Sequence, residues 1–299
     1  MARLIEIQAR IGSIEELLEI VGAMRSLAAV RVQQGQSALS GIREYTDVVG
    51  HAIARTVAEM GSVAGPARGE PRARSILVFC SEHGFVGGFN ERLLDRAAEL
   101  AKNRGHLCVV GGRGALLAEE KGIKPLWTVP MATHAGGVLE TARRTATELF
   151  RRIGRGESDS VAMIYARYES GGRSSVVVEP VLPLDLSAFG DQRTGPAPLH
   201  NLPLEELLEK LAGEFVLAEL ARAAMESFAS ENGARLRAME SAHDNIEEKL
   251  GDLRQAERRL RQEESTAELL DVVTGAEALL GRSRARKRRP AGRGSNSPI

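Results

Sequence analysis

Residues 81–90, SEHGFVGGFN, have the residue types and the position of a phosphate-binding loop. A glycine-rich turn that follows a strand and opens a helix can hold a phosphate with its backbone N–H groups. This segment lacks the terminal Lys-Ser or Lys-Thr of a P-loop and the glycine spacing of the dinucleotide fingerprint. We therefore expect Gly84, Gly87 and Gly88 to serve a tight turn and close helix packing, and we expect no nucleotide here.

Acid–base, nucleophilic and metal chemistry have equally little support. The histidines are scattered, His243 falls on an apolar helical seam, and the adjacent Glu263 and Glu264 would point apart on a helix. Cys80 and Cys108 end short apolar runs without a CxxC or Cys/His neighbour, so we interpret them as small core residues. The sequence thus predicts no catalytic residue, no bound cofactor and no metal site.

Both ends of the chain carry apolar side chains at heptad spacing, which is typical of helices that wind around each other. The N-terminal seam consists of Leu4, Ile7, Ile11, Ile14, Leu18, Val21 and Ala28. The C-terminal seam consists of Met239, Ile246, Leu250, Leu253 and Leu260. These patterns predict terminal helices over 1–60 and 203–280 that form one long antiparallel coiled coil, with a bend in the first helix somewhere after Gly35.

Between these helices the hydrophobic period changes. Four strands are predicted in the runs SILVFC, HLCVVGG, DSVAMIYARY and SSVVVEPVLPL, and helices over 90–103, 114–121 and 137–153. Strands that alternate with helices at this spacing indicate a small Rossmann-like α/β domain, here over 75–186. The flanking segments 61–74 and 187–201 are rich in Gly and Pro and are predicted to be a linker and a loop.

Charge is balanced overall but not along the chain. The sequence has 40 basic and 40 acidic residues, yet 281–299 holds seven Lys or Arg and no acid. This tail is predicted to be disordered and solvated, and an electrostatic contact with an acidic partner or nucleic acid stays open as the alternative. The acidic excess of the remainder argues against nucleic acid. No apolar run reaches 18 residues, and the N-terminus lacks the apolar core of a signal peptide.

Four blocks of the sequence resemble the motifs of one protein family. The opening segment fits I-x-x-A-M-x-x-V-A-A at Ala23, Met24, Ala28 and Ala29, and SEHGFVGGFN resembles S-x-x-G-L-C-G-x-x-N. ESFASENGARLRAMESAHDN, 226–245, resembles E-S-x-x-S-E-x-x-A-R-x-x-A-M-x-x-A-x-x-N, and 261–279 resembles R-Q-x-x-I-T-x-E-[LI]-x-E-I-x-x-G-A-x-A-L. These four patterns are those of the γ subunits of F-type ATP synthases, which the chain therefore resembles. The chain departs from them at Gly22, Phe85, Val86 and Ser265, which indicates a divergent member of that family.

The resemblance implies a central stalk that rotates inside a ring of α and β subunits and has no catalytic residue of its own. Its implied contact residues are Arg261, Gln262 and Thr266 toward β-subunit loops, and Met24 and Arg25 toward the moving lever of β. The α/β domain would contact the ε subunit and the membrane ring of c subunits, on the cytoplasmic face of the bacterial inner membrane. The alternative from a different class is a coiled-coil scaffold with an α/β ligand domain.

Overall fold

One long helix precedes the α/β region in the sequence, and another follows it. The computed structural model describes residues 2–61, 74–101, 105–189 and 200–287. Helix α1 spans Ala2–Met60 and is continuous through Gly35, and helix α5 spans Leu204–Lys287. Both predicted helices are confirmed, but α5 continues past the predicted boundary at 280 into the basic segment. The rest of the predicted tail, 288–299, lies outside the described residues.

Among the described residues, five strands form one mixed sheet in the order β3-β2-β1-β4-β5. The strands are β1 (Arg74–Phe79), β2 (Gly105–Val110), β3 (Trp127–Val129), β4 (Ser160–Tyr168) and β5 (Ser174–Leu182). The first four are parallel, and β5 pairs antiparallel with β4 at the edge. Helices α2 (Phe89–Ala101), α3 (Gly112–Glu120) and α4 (Val138–Gly154) connect the parallel strands. The Rossmann-like α/β domain is therefore confirmed, and β3 is an additional strand that the sequence did not predict.

Side chains on the two faces of the sheet build two separate cores. On β1, Leu77 and Phe79 enter the cluster that contains Leu149 of α4 and Phe228 of α5, whereas Ile76 and Val78 enter the cluster of α2. This alternation follows from the period of two along a strand, and both faces are apolar because both are covered by helices. The linker 62–73 and the loop residues 190–199 lie outside the described residues.

Both cysteines are buried and free, as the sequence predicts. Burial raises the pKa of the Cys108 thiol to about 12, and burial together with the nearby Glu231 raises the pKa of Cys80 further. The two thiols are therefore protonated and unreactive at neutral pH.

The chain divides into two compact units, 1–20 with 243–299, and 21–242. In the first unit α1 and α5 are antiparallel, since Gln8 donates to Glu257 at 3.0 Å and Arg254 pairs with Glu15 at 2.6 Å. The N-terminal seam residues are less exposed there than their neighbours Ile5, Leu17 and Ile20. The predicted helix pairing is thus confirmed within this unit.

In the second unit the same two helices also run antiparallel and approach closely. Arg43 pairs with Glu226 at 2.6 Å, and a Cβ placed on Gly35 would lie 3.1 Å from the Cβ of Ala229. This contact explains why glycine is tolerated at position 35, despite its cost of about 1 kcal/mol in a helix. None of the described helices is both long and apolar enough to cross a membrane.

Candidate functional site

The predicted contact residues Arg261, Gln262 and Thr266 lie on the exposed surface of α5 in the first unit. Arg261 donates to Glu257 at 2.8 Å, and the Thr266 hydroxyl donates to the backbone oxygen of Gln262 at 2.8 Å. An exposed pair one helical turn apart contributes only about 0.3–0.5 kcal/mol to stability. These side chains are therefore free to serve a partner at little cost to the fold.

Beyond these residues α5 is uncovered over 265–276. Every residue from 265 to 276 is exposed, because α5 extends here past the beginning of α1. The exposed residues include four large apolar side chains: Leu269 at 66%, Leu270 at 61%, Val272 at 69% and Val273 at 54%. Scattered apolar residues are ordinary on a surface, but four large ones within five residues favour the prediction that a partner covers this stretch. We call residues 261–273 the C-terminal contact surface.

Met24 and Arg25 lie on α1 in the second unit and are half-buried. Their apolar neighbours Leu27 and Val30 are each 50% exposed. The predicted contact residues of α1 and α5 thus belong to different units, and both groups lie beside exposed apolar side chains.

Side chains of the turn at 81–90 form hydrogen bonds within the turn and with the backbone of nearby segments. Asn90 accepts from the Ser81 amide at 2.9 Å and donates to the Ser81 hydroxyl at 2.8 Å. The carboxylate of Glu82 accepts from the amides of Gly112, at 2.9 Å, and Met131, at 2.7 Å. These interactions pair polar side chains of the turn with backbone groups of the protein itself, so they favour the structural role of the turn. The absence of a nucleotide here stays a prediction.

The predicted roles of the turn glycines are correct only in part. Gly87 has a positive φ of 55°, but a Cβ on Gly84 would meet nothing within 4 Å, so close packing does not explain that residue. Gly88 is similarly open, with only the Glu91 carboxylate at 4.0 Å. The sequence singled out Phe85 only as a departure from the family pattern and did not predict its positive φ of 60° or its exposure of 69%.

A buried polar cluster on α5 packs against this turn and the sheet. Arg235 donates to Glu231 at 2.7 Å, to Asn232 at 3.0 Å and to the backbone oxygen of Gly84 at 3.3 Å. The side chains of Arg235 and Glu231 are only 7% and 5% exposed. Sequence reasoning missed this cluster, although its polar residues recur at helical spacing within an otherwise alanine-rich stretch, 221–235.

Burial raises the pKa of Glu231 to about 7, and the adjacent Arg235 opposes that rise without cancelling it. Glu82 and Cys80 are the other titratable groups coupled to this carboxyl. The native state therefore binds the Glu231 proton more tightly than the unfolded chain does.

We expect this carboxyl to give stability a pH dependence. Because the folded pKa lies above the ordinary value of 4.5, the contribution of Glu231 is fully present below pH 4.5 and is lost as pH rises to about 7. The melting temperature should therefore contain a component that falls as the pH rises from about 5 to about 8. This component should be absent in Glu231→Gln and retained in the exposed control Glu206→Gln. Equal slopes in the two variants would show that Glu231 does not titrate in this range.

Among the described residues, one cluster of a histidine and two carboxylates has the residue types of a metal site. The ligand atoms of His243, Asp244 and Glu247 lie within 4.8 Å of one another on the surface of α5. Both carboxylates are exposed, and the contacts from the His243 ring are long, 3.9 Å to Asp244 and 3.7 Å to Glu247. The arrangement is that of an ordinary helix surface, and the absence of a metal stays a prediction.

Comparison with known proteins agrees with this architecture. Solved structures similar to the chain include one from the mitochondrial ATP synthase of Euglena gracilis, with a TM-score of 0.64, 13% identity and 99% of both chains covered. Another comes from the central stalk and c-ring of the Tetrahymena thermophila mitochondrial ATP synthase, with a TM-score of 0.55, 20% identity, and 75% of this chain and 99% of that chain covered. At such low sequence identities, these similarities show a shared fold and nothing more specific.

Similarity in sequence is more specific. The ATP synthase gamma chain of Anaeromyxobacter dehalogenans is 34% identical over 293 residues, which cover 93% of this chain and all of the relative. The gamma chain of Sorangium cellulosum is 28% identical, with 93% and 99% covered. A family model described as ATP synthase matches residues 3–279. With paired terminal helices, an α/β domain between them and this match along nearly its whole length, the chain belongs to the family of ATP synthase gamma chains.

Proposed function

We propose that this chain is the non-catalytic central rotor stalk of an F-type ATP synthase. The observation that carries the proposal is the C-terminal contact surface, an exposed stretch of α5 in which large apolar residues follow polar ones. A surface of this composition needs a surrounding partner, and a ring of α and β subunits supplies one. Arg261, Gln262 and Thr266 contact β-subunit loops, while Leu269 and Leu270 lie against the wall of the ring.

The mechanism requires no chemistry from this chain. Ion flow turns the membrane ring of c subunits, and the α/β domain, bound to that ring and to the ε subunit, turns with it. The helices then present different side chains to each β subunit in succession, with Met24 and Arg25 facing the moving lever. Since each face interacts differently with the open and closed states of β, rotation shifts the population of those states.

The proposed location follows from these partners. A stalk that joins an α/β ring to a membrane ring of c subunits lies at the cytoplasmic face of the bacterial inner membrane, held there by protein contacts. Nucleic acid has no part in this assignment, because residues 1–280 carry 33 basic and 40 acidic residues.

The alternative, a scaffold whose α/β domain binds a ligand, has less support. Open α/β sheets bind ligands outside the carboxyl ends of their strands, where the strand order reverses. In this chain that position lies beside β1 and β4, and side chains of α5 occupy it.

Two measurements test the proposal. The chain co-expressed with its cognate α and β subunits should purify as a complex that hydrolyses ATP. The isolated chain should show no turnover and no specific nucleotide affinity, because it has no P-loop lysine and no acid–base set. ATP hydrolysis by a preparation free of α and β, or failure of the three chains to assemble, would contradict the assignment.

A further inference from the structure

The carboxyl ends of β1 and β4 leave backbone groups that need partners. The pairing of these two strands ends at Val78 and Ile164, whereas β4 continues to Tyr168. Ala166 therefore has no partner on β1, and a buried amide or carbonyl without a partner is costly. In many α/β proteins a ligand fills this position.

Helix α5 supplies the missing partners here. The Ser227 hydroxyl donates to the oxygen of Phe79 at 3.1 Å and accepts from the amide of Ala166 at 3.1 Å. The Ser230 hydroxyl donates to the oxygen of Ala166 at 2.9 Å. Both serines are fully buried. The helix is thus bonded directly to the backbone of two adjacent strands.

One helical turn further on, the same helix is bonded to the turn after β1. Arg235 donates to the oxygen of Gly84 at 3.3 Å and to the Glu231 carboxyl at 2.7 Å. Hydrogen bonds depend strongly on angle, whereas apolar contacts are non-directional. A purely apolar interface would allow α5 to turn slightly about its axis, but these bonds permit one orientation.

We propose that Ser227, Ser230, Glu231 and Arg235 form a rotational clamp that transmits torque from the α/β domain to α5. The inference rests on the proposed rotor function, because a protein that does not rotate has no torque to transmit. Arg235 is then a positioning residue: it is buried within the second unit, and it acts by fixing the orientation of the helix.

The clamp can be tested by torsional stiffness. A complex of this chain with its α and β subunits is immobilised through the ring and stalled with a non-hydrolysable ATP analogue. A bead is attached to the α/β domain at Arg144→Cys, an exposed position on α4, since the buried Cys80 and Cys108 do not react. The angular variance of the bead reports the stiffness between the domain and the held helices.

Arg235→Met should lose stiffness and show a larger angular variance, and Arg235→Lys should lie between it and the unmodified chain. The matched control is Lys210→Met, which also removes a cation paired with a glutamate four residues earlier on α5, but at an exposed site. Ser230→Ala, a smaller change that preserves packing, should also increase the variance if Arg235→Met does not fold.

Two outcomes overturn the inference separately. If Arg235→Met and Ser230→Ala both assemble with the variance of Lys210→Met, the clamp is wrong while the rotor assignment stands. If the unmodified chain does not assemble with α and β, the rotor function fails and the clamp fails with it.

Discussion

Replacing Gly233 by alanine is expected to destabilise the second unit, although alanine is the better helix former. A Cβ at this position would lie 2.9 Å from a ring carbon of Tyr168 and 3.2 Å from the backbone Cα of Gly172. Overpacking of this kind costs about 1–3 kcal/mol, because the backbone of Gly172 cannot move aside easily. This cost exceeds the gain of about 1 kcal/mol in helix propensity.

Gly213→Ala is the matched control, because it lies on the same helix and in the same unit, and a Cβ added there would meet nothing within 4 Å. There the propensity gain acts alone, so this variant should be more stable by about 1 kcal/mol. Urea denaturation of the isolated chain measures both. If Gly233→Ala is also stabilised, the close approach of α5 to Gly172 is not a constraint on the fold.

The double replacement Arg261→Ala and Gln262→Ala is expected to reduce ATP synthesis strongly in the assembled enzyme. Both side chains belong to the C-terminal contact surface, and the proposed contacts to β loops depend on them. Melting of the isolated chain should hardly change, since the pair lost is the exposed one between Arg261 and Glu257. ATP synthesis and circular dichroism melting together separate a coupling defect from a folding defect.

The control is Glu209→Ala with Lys210→Ala, a second adjacent exposed pair on α5 that also includes a cation bonded to a glutamate four residues earlier. This control should retain normal synthesis and the same small change in melting. If the Arg261 and Gln262 variant also synthesises ATP normally, that segment is an ordinary solvated helix surface.

Several elements could be predicted because their signal is local. Heptad spacing identified α1 and α5, and the seam residues Leu4 to Leu18 all have reduced exposure in the first unit. The apolar runs identified four strands of the sheet. Strand β3 was missed because Trp127–Val129 has only three residues and lies between Pro125 and Pro130, so it offers no period to detect.

The long helices, the α/β domain that lies between them in the sequence and, through the motifs, the family could all be predicted from the residues alone. Hydrophobic periodicity and turn-forming residues are patterns over a few residues, so they can be recognised in a single sequence without any knowledge of tertiary contacts. The hydrogen bonds between α5 and the sheet, in contrast, become visible only in the folded protein. Ser227 and Phe79, or Arg235 and Gly84, are separated by about 150 residues, and their hydrogen bonds depend on where β1 stops pairing with β4. A backbone group needs a partner within the protein only when folding buries it, because in the unfolded chain water forms its hydrogen bonds.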